Sequence, residues 1–328
     1  MKLYGTKTLV TGAAGFIGSH LVEALIREGA KVKAFLRYYS DNHIGLLEHL
    51  SKQTFQELEI CRGDLKDPEA LRQPMQGCEV VFHLGSLIAI PYSYVNPMDF
   101  VQTNVVGTAN LLNACLANDV AKVVHTSTSE VYGTAVYTPI DEAHPLQGQS
   151  PYSATKIAAD KLTESYFRSF DLPVTIVRPF NTFGPRQSPR AIVPTIILQA
   201  LRSSEMHLGS LDPTRDLMFV RDTVRGFLSA VNSDASLGEV VNLGTGQEIS
   251  IGSLAEMILA IMGKESEIRR DEHRTRPENS EVERLLCDNR KAKQLLGWEP
   301  HISLEEGLTK TIEWFEANVA TYRGSFAI

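Results

Sequence analysis

Short apolar runs alternate with longer stretches of helical spacing along the first half of the chain. Residues 7–11 form a β-rich run, and 19–28 an amphipathic helix that stops at Gly29. The short apolar pattern returns at 31–36, 55–61, 79–84 and 121–127, with a long helix over about 97–118. Another helix opens at Pro151, capped by Ser150, and runs to about residue 170; a sixth strand follows at 174–177. This alternation predicts an α/β fold with a Rossmann-type, doubly wound parallel sheet. The breaker-rich stretch 178–186 then leaves the sheet for a smaller C-terminal lobe with helices at 191–201, 253–262, 290–296 and 304–317. Residues 215–222 hold a short strand and a helix start, and 240–244 supply a last sheet strand. The expected division is 1–178 plus about 215–245 for a dinucleotide, and about 179–214 with 246–328 for a substrate.

At 328 residues, 43% of them hydrophobic, the chain suffices for one large or two ordinary domains. Its net charge of −7 argues against a nucleic-acid partner. No apolar run approaches the roughly 20 residues that cross a bilayer, so no membrane partner is expected. Residues 1–8 are too short and polar for a signal peptide, and a cytoplasmic protein is the expectation. Cys61, Cys78, Cys115 and Cys287 are scattered, which reads as reduced thiols with neither a metal site nor a disulfide framework.

Between the first strand and helix lies Gly12-x-x-Gly15-Phe16-Ile17-Gly18. Glycines there let backbone close on a pyrophosphate at the positive helix end. The second strand ends Leu36-Arg37-Tyr38-Tyr39-Ser40, without the carboxylate that receives ribose hydroxyls in NAD sites. Arg37 can pair with a 2′-phosphate, so NADP is favoured over NAD; otherwise it is a solvated arginine. Asp64, beside Leu65, can accept from an adenine amine or cap the helix ahead of Pro68. Leu84, Gly85 and Ser86 let a cofactor lie against backbone.

Tyr152 and Lys156 are four residues apart, hence on one helix face. A phenol titrates at roughly 10, and a fixed cation beside it favours the phenolate, a usable base. Thr128, Ser129 and Glu130 follow the fifth strand, where an open parallel sheet lines its ligand crevice. Thr128 can hydrogen-bond the hydroxyl that Tyr152 deprotonates, and Glu130 can be a second acid or base. Without the Tyr–Lys pair they would read as a strand-end turn and a rim carboxylate. Arg215, Arg274 and Arg276 are candidates for a diphosphate, each otherwise a surface arginine.

Together the glycine triplet, Asp64-Leu65, His83-Leu84, Ser127-Thr128-x-x-Val131-Tyr132-Gly133, Tyr152/Lys156 and Arg178-Pro179-x-Asn181 resemble the extended short-chain dehydrogenase/reductase family over nearly the whole chain. That resemblance implies a nucleotide-sugar enzyme. Tyr152 takes the sugar C4 hydroxyl proton. Lys156 holds the nicotinamide ribose and lowers the Tyr152 pKa. Thr128 supports the hydroxyl, and Asn181, Arg190, Arg215 and Arg276 bind the sugar nucleotide. It also implies a homodimer through the helices starting near Pro97 and Pro151.

Retaining 4,6-dehydratases of the family carry Thr-Asp-Glu where this chain has Thr128-Ser129-Glu130. The Ser-Glu pair also resembles UDP-glucuronate decarboxylases, whereas 4-epimerases usually lack the carboxylate. The stretches 127–142, 181–188 and 286–289 are similar to GDP- or UDP-N-acetylglucosamine dehydratases of legionaminic-acid pathways. The expected activity is a retaining nucleotide-N-acetylhexosamine 4,6-dehydratase that recycles tightly bound NADP or NAD. A C4 or C5 epimerase, a uronate decarboxylase and a catalytically silent cofactor sensor are the alternatives.

Overall fold

The structure is a computed structural model that describes residues 3–271 and 280–322. The first six strands are β1 (Lys7–Thr11), β2 (Lys31–Leu36), β3 (Leu58–Arg62), β4 (Val80–His83), β5 (Lys122–Thr126) and β6 (Val174–Pro179). With a seventh, Val240–Leu243, they form one sheet in the order seventh, β6, β5, β4, β1, β2, β3. Every neighbouring pair is parallel. The doubly wound Rossmann-type fold is therefore present. Because helices cover both faces, β4 and β6 are buried along their whole length, and the polar residues they carry, His83, Thr175 and Arg178, are buried with them.

One face packs helix α1 (Phe16–Arg27) and helix Val220–Asn232 around Val10, Leu21, Leu25, Phe227 and Trp298. The Trp298 indole donates to the Asp222 carbonyl at 3.0 Å, so this large ring is buried with its N–H satisfied. On the other face, Leu111, Cys115 and Leu172 meet Leu9, Val123 and Val174. A separate apolar cluster joins Phe183, Ile196, Met206, Leu254, Leu308 and Phe315. It draws on helices Ile192–Arg202, Ile251–Met262 and Leu304–Asn318, and Phe16 and Ile17 of α1 pack against it.

Two expectations change in detail. The third strand starts at Leu58, because Ser51 accepts the Thr54 N–H and caps a short helix, Lys52–Gln56, that takes up Phe55. The helix over 97–118 is continuous, but its middle, Val101–Val106, is wound as a π-helix between Pro97–Phe100 and Gly107–Ala117. Such widened turns are frequent at functional sites.

The strand order reverses between β1 and β4, and in open α/β sheets ligands bind at that switch point. The turn after β1 fits there only with glycine. A Cβ on Gly18 would lie 2.2 Å from the Gly12 carbonyl oxygen. Gly18→Ala is expected to lower unfolding free energy by about 1–3 kcal/mol in urea titrations; unchanged stability would mean that the turn can open.

Candidate active site

The Tyr152 helix spans Pro151–Phe170 and is fixed at its start by reciprocal caps: Ser150 Oγ accepts the Ser153 N–H, and Ser153 Oγ accepts the Ser150 N–H. Tyr152 and Lys156, one turn apart, are both buried. Lys156 Nζ donates to the Thr126 carbonyl at 2.6 Å, where β5 ends. No second acceptor lies in reach among the described residues, which leaves two ammonium N–H bonds for a ligand's hydroxyls. Burial lowers this amine to about 8, against the opposing charge of Asp160.

Thr128 opens a short 3₁₀ turn, Ser129–Tyr132, and its Oγ1 accepts the Glu130 N–H at 3.2 Å. The same side chain lies close enough to the Tyr152 phenol to favour its ionised form. Thr128, Tyr152, Lys156 and the half-buried Glu130 thus meet at the carboxyl end of β5, while Ser129 is buried under the turn. The Tyr152 titration differs from expectation. Burial pushes the phenol above its ordinary range; Thr128 pulls it down, and the charges of Glu130 and Asp160 push it further up. Burial outweighs the pull of Thr128, and the Lys156 ammonium is not among the groups that shift the phenol, so Tyr152 is held protonated.

Beside this group runs a chain of hydrogen bonds absent from the sequence reading. Thr11 Oγ1 accepts the Gly85 N–H and lies 2.8 Å from His83 Nδ1; His83 Nε2 lies 3.0 Å from Thr108 Oγ1, which donates to the Asn104 carbonyl. Burial keeps His83 neutral, and these partners assign the ring proton to Nε2. Asn104, in the π-helical turn, accepts from Leu87 N–H, donates to the Leu87 carbonyl, and donates to Thr155 Oγ1. It therefore ties the 84–87 loop to the Tyr152 helix. A buried amide in an apolar helix was the available signal.

The glycine turn fits a dinucleotide. Gly12 has φ +69°, and a Cβ there would lie 2.8 Å from the Leu84 carbonyl carbon and the Gly85 nitrogen. Gly15 precedes α1 with no side-chain cap and no acid in the first turn, so the N–H groups of Phe16, Ile17 and Gly18 face no built-in anion. Arg37 is exposed just past β2. Asp41 is turned onto the His43 N–H at 3.0 Å. Leu84, Gly85 and Ser86 follow β4, and Ser86 Oγ bonds Asn104 Oδ1 at 3.1 Å. Asp64, ahead of buried Leu65, accepts the Lys66 N–H and lies 3.6 Å from Lys66 Nζ.

Asn181, Arg190 and Arg215 line one cavity of about 310 Å³ with Gln187, Ser210 and Glu281. Phe183, Val193, Leu208 and Leu217 give it apolar walls. Arg215 is buried, with Nη2 3.2 Å from Glu281 Oε1. Asn181 Oδ1 and Gln187 Oε1 are buried without a partner among the described residues. Arg276 and Arg274 lie outside the described residues.

A family profile described as GDP-mannose 4,6 dehydratase matches residues 9–311. The chain belongs to this family. Solved dehydratases and epimerases share the fold described above, and a UDP-glucuronic acid decarboxylase of Xenopus tropicalis is among the sequence relatives. A UDP-glucose 4-epimerase of Mycolicibacterium smegmatis is 37% identical over 94% of this chain and 98% of that protein. Pal from Bacillus thuringiensis superposes with a TM-score of 0.85 at 34% identity, covering 95% of this chain and all of that one. DesIV, a dTDP-glucose 4,6-dehydratase of Streptomyces venezuelae solved with NAD, gives 0.87 at 29% identity over 97% and 99%. The protein is thus an enzyme of the nucleotide-sugar dehydratase/epimerase family, whose solved relatives bind NAD and nucleotide sugars. No helix among the described residues is long and apolar enough to cross a membrane.

The Tyr152–Lys156 pair carries a pH signature. Lys156 binds its proton more weakly in the folded chain, at about 8, than at its ordinary 10.5. The folded state is therefore penalised for holding that proton, and the penalty is relieved as pH rises between those values. Relative to Lys156→Met, wild-type stability is expected to rise by up to about 1.4 kcal/mol per pH unit between about pH 8 and about pH 10. Parallel urea curves for the two proteins across that window would contradict the burial of a charged amine.

Proposed function

We propose that the enzyme is a retaining 4,6-dehydratase acting on a GDP- or UDP-linked N-acetylhexosamine, of the kind found in legionaminic-acid pathways. The observation that carries this reading is the half-buried carboxylate of Glu130, which acts electrostatically on the Tyr152 phenol beside Thr128. Two lobes divide the work. Residues 1–178 with about 215–245 hold the dinucleotide. Residues about 179–214 and 246–328 hold the sugar nucleotide, through Asn181, Arg190, Arg215 and Arg276. Two chains pair through the helices that start near Pro97 and Pro151.

A bound nicotinamide supplies the positive charge that favours the Tyr152 phenolate and the place where the C4 hydride is kept until it returns to C6. Tyr152 takes the C4 hydroxyl proton, with Thr128 orienting that hydroxyl. Lys156 holds ribose hydroxyls with its two remaining N–H bonds. The C4 carbonyl acidifies C5–H, and Glu130 removes that proton. Ser129 is no acid near neutral pH, so Glu130 also passes the proton to the departing C6 hydroxyl, which leaves as water; Glu130, reprotonated from solvent, then returns a proton to C5 as C6 is reduced. A second reading, a C4 or C5 epimerase or a uronate decarboxylase, is favoured by Ser129 itself and by the epimerase relative.

Incubation with UDP-GlcNAc and GDP-GlcNAc, without added reductant, is expected to give a product lighter by one water. Unchanged mass with altered stereochemistry marks an epimerase, and loss of carbon dioxide from a uronate a decarboxylase. Glu130→Gln should abolish water loss by about 100-fold or more, the scale of a lost acid–base group, while hydride transfer from C4 still appears as cofactor absorbance.

Arg37, with no carboxylate engaged at the end of β2, supports NADP. Fluorescence titration is expected to show NADPH bound at least about tenfold more tightly than NADH by wild type, and equally by Arg37→Ala, the loss of one charge-assisted contact. Equal binding of both by wild type would reverse the assignment to NAD.

A further inference from the structure

One turn beyond Lys156 on the same helix stands Asp160, a carboxylate with no exposed surface. It makes no ion pair with Lys156, whose Nζ is turned to the Thr126 carbonyl. Its Oδ2 accepts three hydrogen bonds: from Ser127 Oγ at 2.7 Å, Arg178 Nε at 3.0 Å and Arg178 Nη2 at 2.9 Å. Ser127 is the residue before Thr128. Arg178 is near the end of β6, three residues before Asn181, and its Nη1 donates to the Tyr132 hydroxyl, which donates to Asn242. One carboxylate therefore ties together the helix of the Tyr–Lys pair, the loop of Thr128 and Glu130, and the strand that leads to the substrate cavity.

The surroundings of Lys156 leave Asp160 as its source of compensating charge. On its own helix stand Tyr152, held protonated, and Asp160. From β4 and β5 come His83 and His125, both kept neutral by burial. His125 Nε2 lies 3.4 Å from Asp160 Oδ1 without a hydrogen bond. From β6 comes Arg178, its guanidinium bound to Asp160, and from the 3₁₀ turn Glu130, beside the phenol.

We propose that Asp160 is the positioning residue of this site: its carboxylate is the fixed counter-charge that keeps the Lys156 ammonium in place, and its Ser127 contact sets the Thr128 loop against that helix. The proposal rests on the Tyr152–Lys156 reading, but it concerns the amine itself and can fail while turnover persists. Burial of the ammonium and the compensating effect of Asp160 support it.

The test is NMR titration of the full-length, cofactor-free protein labelled with 13Cε-lysine, with Lys156→Met assigning the resonance. In Asp160→Asn the Lys156 midpoint is expected to fall by about one pH unit or more, a tenfold loss of ammonium at a given pH. That variant leaves Arg178 as an unpaired buried cation and can fail to fold. The pair Asp160→Asn with Arg178→Met removes both charges, an exchange that buried ion pairs often tolerate, and is expected to show the same direction. NADPH affinity should weaken in parallel, with the largest loss above the new midpoint. A folded variant whose Lys156 midpoint stays at the wild-type value overturns the proposal, whatever its melting temperature or turnover.

Discussion

A buried ion pair governs the geometry of this crevice. Asp160 and Arg178 lie in the interior, where two charges brought out of water are stabilising only if their remaining hydrogen bonds are filled. Here Asp160 Oδ2 and the guanidinium are filled by groups that belong to the site, Ser127, Tyr132 and, through Tyr132, Asn242, while among the described residues Asp160 Oδ1 faces only the His125 ring at 3.4 Å. Replacing the pair with well-packed apolar side chains could leave the fold no less stable. What the charges provide is orientation, because each partner stands on a different segment and every hydrogen bond has a direction.

The opposite wall is held by neutral groups. Thr11, His83, Thr108 and Asn104 form a chain in which each hydroxyl or ring has one donor and one acceptor role available. Neutrality of His83 is a condition of that chain, since a charged imidazole would donate from both nitrogens and leave the Thr11 hydroxyl without its acceptor. The π-helical turn serves the same wall. Widening by one residue brings the Asn104 side chain to both backbone groups of Leu87 and to Thr155, reaching a loop and a helix at once.

Much of this was legible in the sequence because local chemistry set it. The glycine turn, the Ser150–Pro151 start and the Tyr152–Lys156 spacing each depend on neighbours within a few residues. The alternation of strand and helix was visible because β1, β4, β5 and β6 lie almost wholly in the interior and each carries a short apolar run within it. What stayed hidden depends on long-range contact. Asp160 reads as an ordinary helical acid until β6 brings Arg178 against it. Nothing local to Asn104 or His83 reports the hydrogen bonds they make. The upward push on the Tyr152 phenol follows from how completely the fold closes over it, which spacing does not report. The short helix before β3 was missed because a single serine cap redirected Phe55 from the strand.

The seventh strand, Val240–Leu243, pairs with β6 only after residues 180–239 have left the sheet and returned. Helix Val220–Asn232, which precedes it, covers the same face as α1. Synthesis therefore delivers a sheet with an open edge and a bare face until well past the middle of the chain. A shortened protein ending near β6 would display that edge to solvent, the kind of surface along which chains aggregate. The halves of this enzyme are interleaved by connectivity, so they cannot be cut apart and exchanged as beads on a string.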